Sequence, residues 1–325
     1  MMADIQRILC PHGRLIVLAD MGNEPDEMQQ MIHMIMCSNE FDVEGLIPVT
    51  GKFLRPEQKN PYRRVLHPEL FHQIIDAYAK VLPNLRIHAQ GWPEPDYLRS
   101  IVKTGQTEYG MKGVGEGKSS PGSELIIQAA MKPDPRPLWI VINAGSNTLA
   151  QALFDFRRTH SPAETAALIK KLRVFENGAQ DNAGAWICSQ FPEIHWIRSN
   201  YQTYAYGGPG ARDSQGRPIC PGPNSWLPYP ATPEGQHRWA EQHIMRDHGP
   251  LGAIFPYRSF KKHGKEHLAF IEGGGTTPWL GLVNRGLFDQ DHPWWGGWSG
   301  RFTREKVKNP WSRHRDIREE EQQYT

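Results

Sequence analysis

Apolar and polar positions along this chain fall in blocks whose period changes from one block to the next. "LIVLA", residues 15–19, is a short continuous apolar run, the pattern of a strand buried on both faces. The segment "PDEMQQMIHMIMCSN" then places Met28, Met31, Ile32, Ile35 and Met36 at helical spacing, which predicts a helix with a core-facing methionine stripe. Pro25 stands at its first turn, where a missing N–H does no harm, and Asp26 and Glu27 sit at the positive end of its dipole. "VEGLIPV" reads as a second strand, and "LWIVINAG", "RVFEN" and "IHWIRSN" as later ones. Helical patterns occupy "ELFHQIIDAYAKVL", "DYLRSIVK", "ELIIQAAM", "NTLAQALFDFRR", "PAETAALIKKL" and "TPEGQHRWAEQHIMRD", the last with Thr232 as N-cap and Glu234 in its first turn. Between them, residues 51–66, "YGMKGVGEGKSSPGS" and residues 201–231 read as loops rich in Gly, Pro or basic residues.

Strands alternating with helices predict an α/β fold, a mostly parallel central sheet flanked by helices. There is no internal repeat and no clear linker, so a single domain is expected over residues 1–302, followed by a charged tail at 303–325. A chain of 325 residues is long enough for a full-sized core.

Composition narrows the function classes. A formal net charge of +2 gives no argument for nucleic acid or for an anionic membrane surface. No apolar run is long enough to span a bilayer, and "MMADIQRILCPHGR" lacks a stretch of signal-peptide length. Cys10, Cys37, Cys188 and Cys220 are widely spaced and read as buried thiols rather than a disulfide framework. A cytoplasmic protein is therefore expected. Eleven tryptophans are many for this length. Indoles suit sugar rings as well as cores, with packing the default for any single one.

The densest chemistry lies directly after the first strand. Asp20, Glu24, Asp26 and Glu27 crowd into eight residues. Carboxylates at the end of a buried strand repel one another and need a positive partner, either a basic side chain or a bound cation. In open α/β sheets ligands bind in the crevice beyond the carboxyl ends of the strands, and Gly22 lets the chain turn sharply there. Hard oxygen ligands suit Ca²⁺ or Mg²⁺ better than zinc, because no Cys or His stands at ligand spacing nearby. The competing reading, in which Asp26 and Glu27 merely favour the helix start and Asp20 pairs with a Lys or Arg, stays open at this point.

"LADMGNEPDE" followed by "SNEFDVEGLIPVT" resembles the opening of the nucleoside-hydrolase superfamily. The closer likeness is to the nucleoside-hydrolase-like, cellulose-binding Sde182-type branch. In nucleoside hydrolases the opening strand ends in an Asp-Pro-Gly-x-Asp-Asp loop that holds calcium. Asp20 and Gly22 match the start of that loop, Asn23 and Glu24 read as a two-residue insertion, and Asp26 and Glu27 match the closing acidic pair. Glu27 departs from the usual Asp. "VINAGSNTLAQAL" is similar to the strand–loop–helix in which the residue before an Asn lends its main-chain carbonyl to the metal, which implies Ser146 as a ligand beside Asn147. "ENGAQDNAGAW" resembles the segment whose acidic residue and Asn bind sugar hydroxyls, which implies Glu176 and Asn177, with Asp181 nearby. "HAQGWP", "LIIQAA", "HGPLGAIFP" and "HPWWGGWSGRF" extend the likeness over residues 13–302.

Two departures stand out. The branch carries an "EGDTP"-like segment whose Asp is the natural last metal ligand, whereas this chain reads "IEGGGTTPWLGL". Glu272 or Asp247 would have to substitute. The chain also ends soon after "WGGWSGRF", so the C-terminal β-sandwich of secreted relatives is not expected.

The resemblance implies hydrolysis of an N- or O-glycosidic bond to a furanose-like sugar, in a small glycoside or nucleoside, at a site holding Ca²⁺ or another hard divalent cation. Asp20, Asp26, Glu27 and Ser146 would hold the metal, with Asp20 also the general base. Asn23, Glu24, Asn147, Glu176, Asn177, Asp181 and Glu272 would face the sugar. His67, His72 and His248 are proton-donor candidates by residue type alone, and Trp92, Trp279 and Trp294 are stacking candidates. Relatives often assemble as dimers or tetramers, so a homo-oligomer is an expectation too. The alternative is a non-catalytic carbohydrate-binding protein that keeps the hydrolase fold. A dinucleotide-binding enzyme is disfavoured, because "GVGEGKSSPG" neither follows a predicted strand nor has the required spacing.

Overall fold

The computed structural model describes residues 12–199, 241–256, 260–262, 265–267, 275–283 and 291–302. Its centre is a five-stranded, all-parallel sheet in the order β2-β1-β3-β4-β5, with β1 Gly13–Ala19, β2 Phe41–Pro48, β3 Leu138–Ile142, β4 Leu172–Asn177 and β5 His195–Ser199. Parallel neighbours need crossover connections, and the helices that make them cover both faces of the sheet. They are α1 Pro25–Ile35, α2 Pro68–His88, α3 Pro95–Ser100, α4 Pro121–Met131, α5 Asn147–Thr159, α6 Pro162–Lys171 and α7 Ala183–Gln190. Beyond β5 lie α8 Gly249–Ala253, a small antiparallel ladder of β6 Phe260–Lys262 with β7 Lys265–His267, and α9 Thr276–Leu280.

The period of two along β1 sorts its side chains between two cores. Leu15, Val17 and Ala19 pack with the methionine stripe of α1 and with Phe71, Ile75 and Tyr78 of α2. Ile16 and Leu18 pack with Ile126 of α4, Leu149 and Leu153 of α5, and Ile187 of α7. A bulge between Leu15 and Ile16 shifts the register on β2 from Val43 to Gly45, leaving Glu44 as the extra residue. Glu44 turns to Arg14, whose Nε donates to its Oε1 at 2.6 Å.

The helix boundaries follow local chemistry. Ser120 and Ser161 close capping boxes at α4 and α6, with Pro at the first helical position in each. The glycine-rich segment before α4 therefore leads into a capped structural helix. The second helix is longer than its pattern suggests: α2 runs through Pro83 to His88. Its inner face, including Ile75, Tyr78 and Leu82, is held by tertiary packing that outweighs the missing N–H. Strand β3 is shorter than "LWIVINAG", because Asn143 to Gly145 already turn towards α5. Of the late helix, the single π-type turn Glu241–Met245 is described. The loop at 201–231, the N-cap at Thr232, the tail at 303–325, Cys10, Cys220 and Glu272 lie outside the described residues. Cys37 and Cys188 are thiols, half-buried and buried. Among the described residues no helix is long and apolar enough to cross a membrane.

Candidate functional site

The strand order 2-1-3-4-5 reverses direction between β1 and β3, and a crevice opens at that point beyond the carboxyl ends of the strands. What the chain places there follows from register. Leu18 of β1 pairs with Ile142 of β3, and Ile142 with Glu176 of β4. The residues just past these positions, Asp20, Asn143 and Asn177, stand side by side at the mouth. Asn143 N donates to Leu18 O at 2.8 Å, which fixes its place beside β1.

Asp20 is 1% exposed, and neither of its carboxylate oxygens has a hydrogen-bond partner. Asn23 closes a tight turn by donating its N–H to Asp20 O at 3.0 Å, while its own buried Oδ1 is unpartnered. Gly22 allows this turn with φ +92, and a Cβ there would lie 2.6 Å from the ring of His67. Asp26 and Glu27 are buried in the first turn of α1, and Glu24 precedes that helix at its N-cap position. Burial pushes the Asp20 carboxyl well up, and the Asp26 and Glu24 carboxylates push it further. Glu27 is raised by the same causes, burial first and then Asp26 and Asp20. The carboxylates of the opening acidic loop thus repel one another across the turn. Gln30 Nε2 donates to Glu27 Oε2 at 2.9 Å, and Trp279 Nε1 donates to Gln30 Oε1 at 3.1 Å. Gln30 also lines an apolar cavity of about 560 Å³ walled by Ile32, Leu85, Leu251 and Phe255, with Thr276 at its edge.

The second half of the crevice comes from the turns after β3 and β4. Asn143 and Asn177 are fully buried, and neither side-chain amide makes a hydrogen bond. Unmatched buried amides are costly, and several converging on one crevice mark a place where a polar ligand completes the hydrogen bonding. A Cβ on Gly51 would lie 2.7 Å from Asp20 Oδ2 and 2.8 Å from Gln180 Oε1, so two acceptors converge on a space that only glycine leaves open. Gln180 is itself anchored, its Nε2 donating to Asn143 O at 2.9 Å. Gly275, in the segment "EGGGTTP", folds back here: a Cβ on it would meet the Gln30 side chain at 3.0 Å and Asn143 Nδ2 at 3.2 Å.

Other expected site residues have structural work. Glu176 is fully buried, and both its oxygens are occupied: Oε2 accepts from Arg198 Nε at 2.6 Å and Trp196 Nε1 at 3.1 Å, and Oε1 from Ser146 Oγ at 3.2 Å. Direct sugar binding by this carboxylate is replaced by an internal ion pair. Ser146 O accepts from Ala150 N at 3.0 Å as the first bond of α5, which fixes the direction of this carbonyl. Asp181 accepts from Ala183 N at 2.9 Å and from Asn147 N at 3.2 Å, joining the starts of α7 and α5. Burial raises it to about 6 against those hydrogen bonds. Asn147 Nδ2 donates to Thr50 Oγ1 at 3.1 Å and Glu108 O at 2.7 Å, while its Oδ1 is unpartnered.

The histidine and tryptophan candidates separate clearly. His67 holds Glu69 Oε1 at 2.6 Å and Tyr62 O at 2.7 Å with its two ring nitrogens. His72 lines a surface groove with Asp76 and Lys80, and His248 meets Gln242 O at 2.8 Å. Trp92 and Trp279 are packing residues with satisfied indole N–H groups, whereas Trp294 is exposed. Asp247 has a positive φ of 60 in the turn before α8.

A hard cation fits this donor chemistry in part. The unpartnered oxygens of Asp20 and of Asn23, amid buried carboxylates, are what such an ion would neutralise. Among the described residues, however, no three of His, Cys, Asp and Glu group closely enough to hold a metal by themselves. Neutral oxygens would complete the shell.

Comparison with known proteins agrees with this fold. A family model described as "Cellulose-binding Sde182, nucleoside hydrolase-like domain" matches residues 14–302. Among solved structures, a nucleoside hydrolase-related hypothetical protein from Saccharophagus degradans, associated with carbohydrate metabolism, is similar with a TM-score of 0.70 and 35% sequence identity. The similarity covers 90% of this chain and 59% of that one, so this chain spans less than two thirds of that protein. No curated protein matches.

Proposed function

Since the chain belongs, over residues 14–302, to the family of cellulose-binding Sde182, nucleoside hydrolase-like domains, we propose that its strand-end crevice hydrolyses a glycosidic bond to a furanose-like sugar with the help of a hard divalent cation, Ca²⁺ foremost. The observation that carries this reading is Asp20: fully buried, unpartnered at both oxygens, and raised by burial and by its acidic neighbours. Asp20 and Asn23 would hold such a cation, which would supply compensating charge and lower the pKa of a bound water.

The chain's own residues then divide the work. Asp20 takes the water's proton as general base. The open amides of Asn143 and Asn177, with the unpartnered Oδ1 of Asn147, orient the sugar through its hydroxyls. Glu176 acts indirectly, holding Ser146 and the start of α5 through its bonds to Arg198 and Trp196. The apolar cavity beyond Gln30 gives room for the leaving group.

The test is sugar release from a panel of nucleosides, ribosides and arabinofuranosides with Ca²⁺ added. Release that drops roughly 10²–10⁴-fold in Asp20→Asn supports the proposal. A specific observation favours a second reading, non-catalytic carbohydrate binding. Gly275 stands beside Asn143, and among the described residues the start of α9 carries no carboxylate. Sugar binding in the crevice without release from any substrate would decide for that reading.

A further inference from the structure

The segment "HPWWGGWSGRF" presents three tryptophans to solvent within five residues: Trp294 is 45% exposed, Trp295 60% and Trp298 56%. Tryptophan left half bare is unusual, because its large apolar surface normally favours burial. Here the turn that carries them is fastened down. Phe302 is 2% exposed and meets Phe175 of β4 edge-on at 5.3 Å, and its N–H donates to Pro293 O at 3.2 Å. Gly297 and Gly300 exchange backbone hydrogen bonds across the tip, and Asp291 pairs with Arg173 at 3.2 Å.

The rings are also arranged. His292 stacks on one face of Trp295 at 4.2 Å with an interplanar angle of 9°, and meets Trp294 at 4.9 Å and 80°. One face of Trp295 is therefore backed by an imidazole and the other is open, while Trp294 stands nearly perpendicular beside it. The result is an aromatic corner, with exposed Arg301 reaching back beside Gly296 at its turn. The corner lies apart from the crevice. Its two anchors on β4, Arg173 and Phe175, stand four and two positions before the crevice residue Asn177, about 13 and 7 Å along the strand at the usual rise.

Area decides what fits it. The three indoles together expose on the order of 300–400 Å², well below the roughly 800 Å² per partner of a stable protein interface. A pyranose ring has the matching size, with axial C–H groups that lie against an indole face. Repeated β-1,4-linked rings expose such flat faces along a chain.

We propose that Trp294, Trp295 and Trp298 form a surface site for a neutral β-linked polysaccharide, separate from the crevice. The proposal takes only its ligand class from the carbohydrate reading above, and it stands or falls independently of metal binding or hydrolysis. The experiment is retention of the full chain on microcrystalline cellulose, together with retardation in gels containing hydroxyethyl cellulose. Trp295→Ala is expected to weaken both at least tenfold, Trp295→Tyr to recover part of the loss, and Asp20→Asn to bind like wild type. Unchanged melting of the alanine variant, with wild-type mass in solution, shows that the loss is local. Equal retention of Trp295→Ala and wild type would overturn the proposal. So would a wild-type protein that neither substrate retains, or a change in oligomeric mass caused by Trp295→Ala, which would assign the corner to a protein partner.

Discussion

At the amino ends of the strands, Arg14 is fully buried and its guanidinium reaches Glu44 at 2.6 and 3.1 Å and Ala129 O at 2.7 Å. Lys132 joins Glu44 at 2.8 Å, and Arg136 spans Asp134 at 2.7 Å and Asp42 at 2.6 Å. At the carboxyl ends of the same strands Asp20, Glu27 and Asp181 are buried and, among the described residues, form no ion pair. The titration directions split accordingly. Hydrogen bonds from Arg136 hold Asp134 well below the usual carboxylate range, and Glu44 is held down by Arg14 and Lys132 despite its burial, whereas Asp20, Glu27 and Asp181 are pushed up. Strand β1 joins the two regimes, starting beside Arg14 and ending at Asp20. The contrast teaches that this sheet can match buried charge, as at Arg14–Glu44 and Glu176–Arg198, and that the carboxylates left unmatched are the ones arranged to receive something.

Breaking the matched end has the largest expected effect. Arg14→Met leaves Glu44 buried with a single exposed lysine, and should cost about 3–5 kcal/mol in urea denaturation. The pH response comes next. Asp181 moves from 3.8 to about 6 on folding, so its protonated form is favoured in the native state. That contribution is complete below 3.8 and is lost as pH rises through about 6, a swing of roughly 3 kcal/mol. Asp20 and Glu27 act in the same direction. Asp134 and Glu44 act oppositely, stabilising above their ordinary values and losing that stability as pH falls through their lowered ones. Cation-free protein should therefore gain stability on mild acidification from neutral pH and lose it only in stronger acid, as followed by thermal melting across pH.

A smaller effect of opposite sign to Arg14→Met is expected at the unmatched end. Asp20→Asn removes a charge from the crowded loop and should stabilise the cation-free protein at neutral pH by about 1–2 kcal/mol while removing function. Smallest is Gly51→Ala, whose Cβ would enter the space between Asp20 Oδ2 and Gln180 Oε1. It should change stability by about 1 kcal/mol yet weaken ligand binding in the crevice, measured by titration calorimetry.

Much of this was visible in the chain, unevenly. Asp20 stood out because an acidic residue directly follows a buried strand, and its neighbours lie within one turn of helix. Asn143 occupies the same place after β3 and was missed, since its meaning depends on the β1–β3 register that sets it beside Asp20. The sealing of Glu176 could not be read locally either. It depends on Arg198, its direct partner in the β4–β5 register, 22 residues downstream. The matched network at the amino ends joins Arg14 to Arg136 across 122 residues, a distance at which periodicity carries no information. Pro83 marked a helix boundary by local rules, and packing on α2 overrode it.

Calorimetric titration of Ca²⁺ into wild type and Asp20→Asn at pH 7.5 and 5.5 tests the central claim most directly. One ion should bind per wild-type chain at pH 7.5, more weakly at 5.5 because protons compete with the cation for the crowded carboxylates, and not measurably to Asp20→Asn at either pH. Binding of equal strength in both proteins, or none in wild type at pH 7.5, would contradict it.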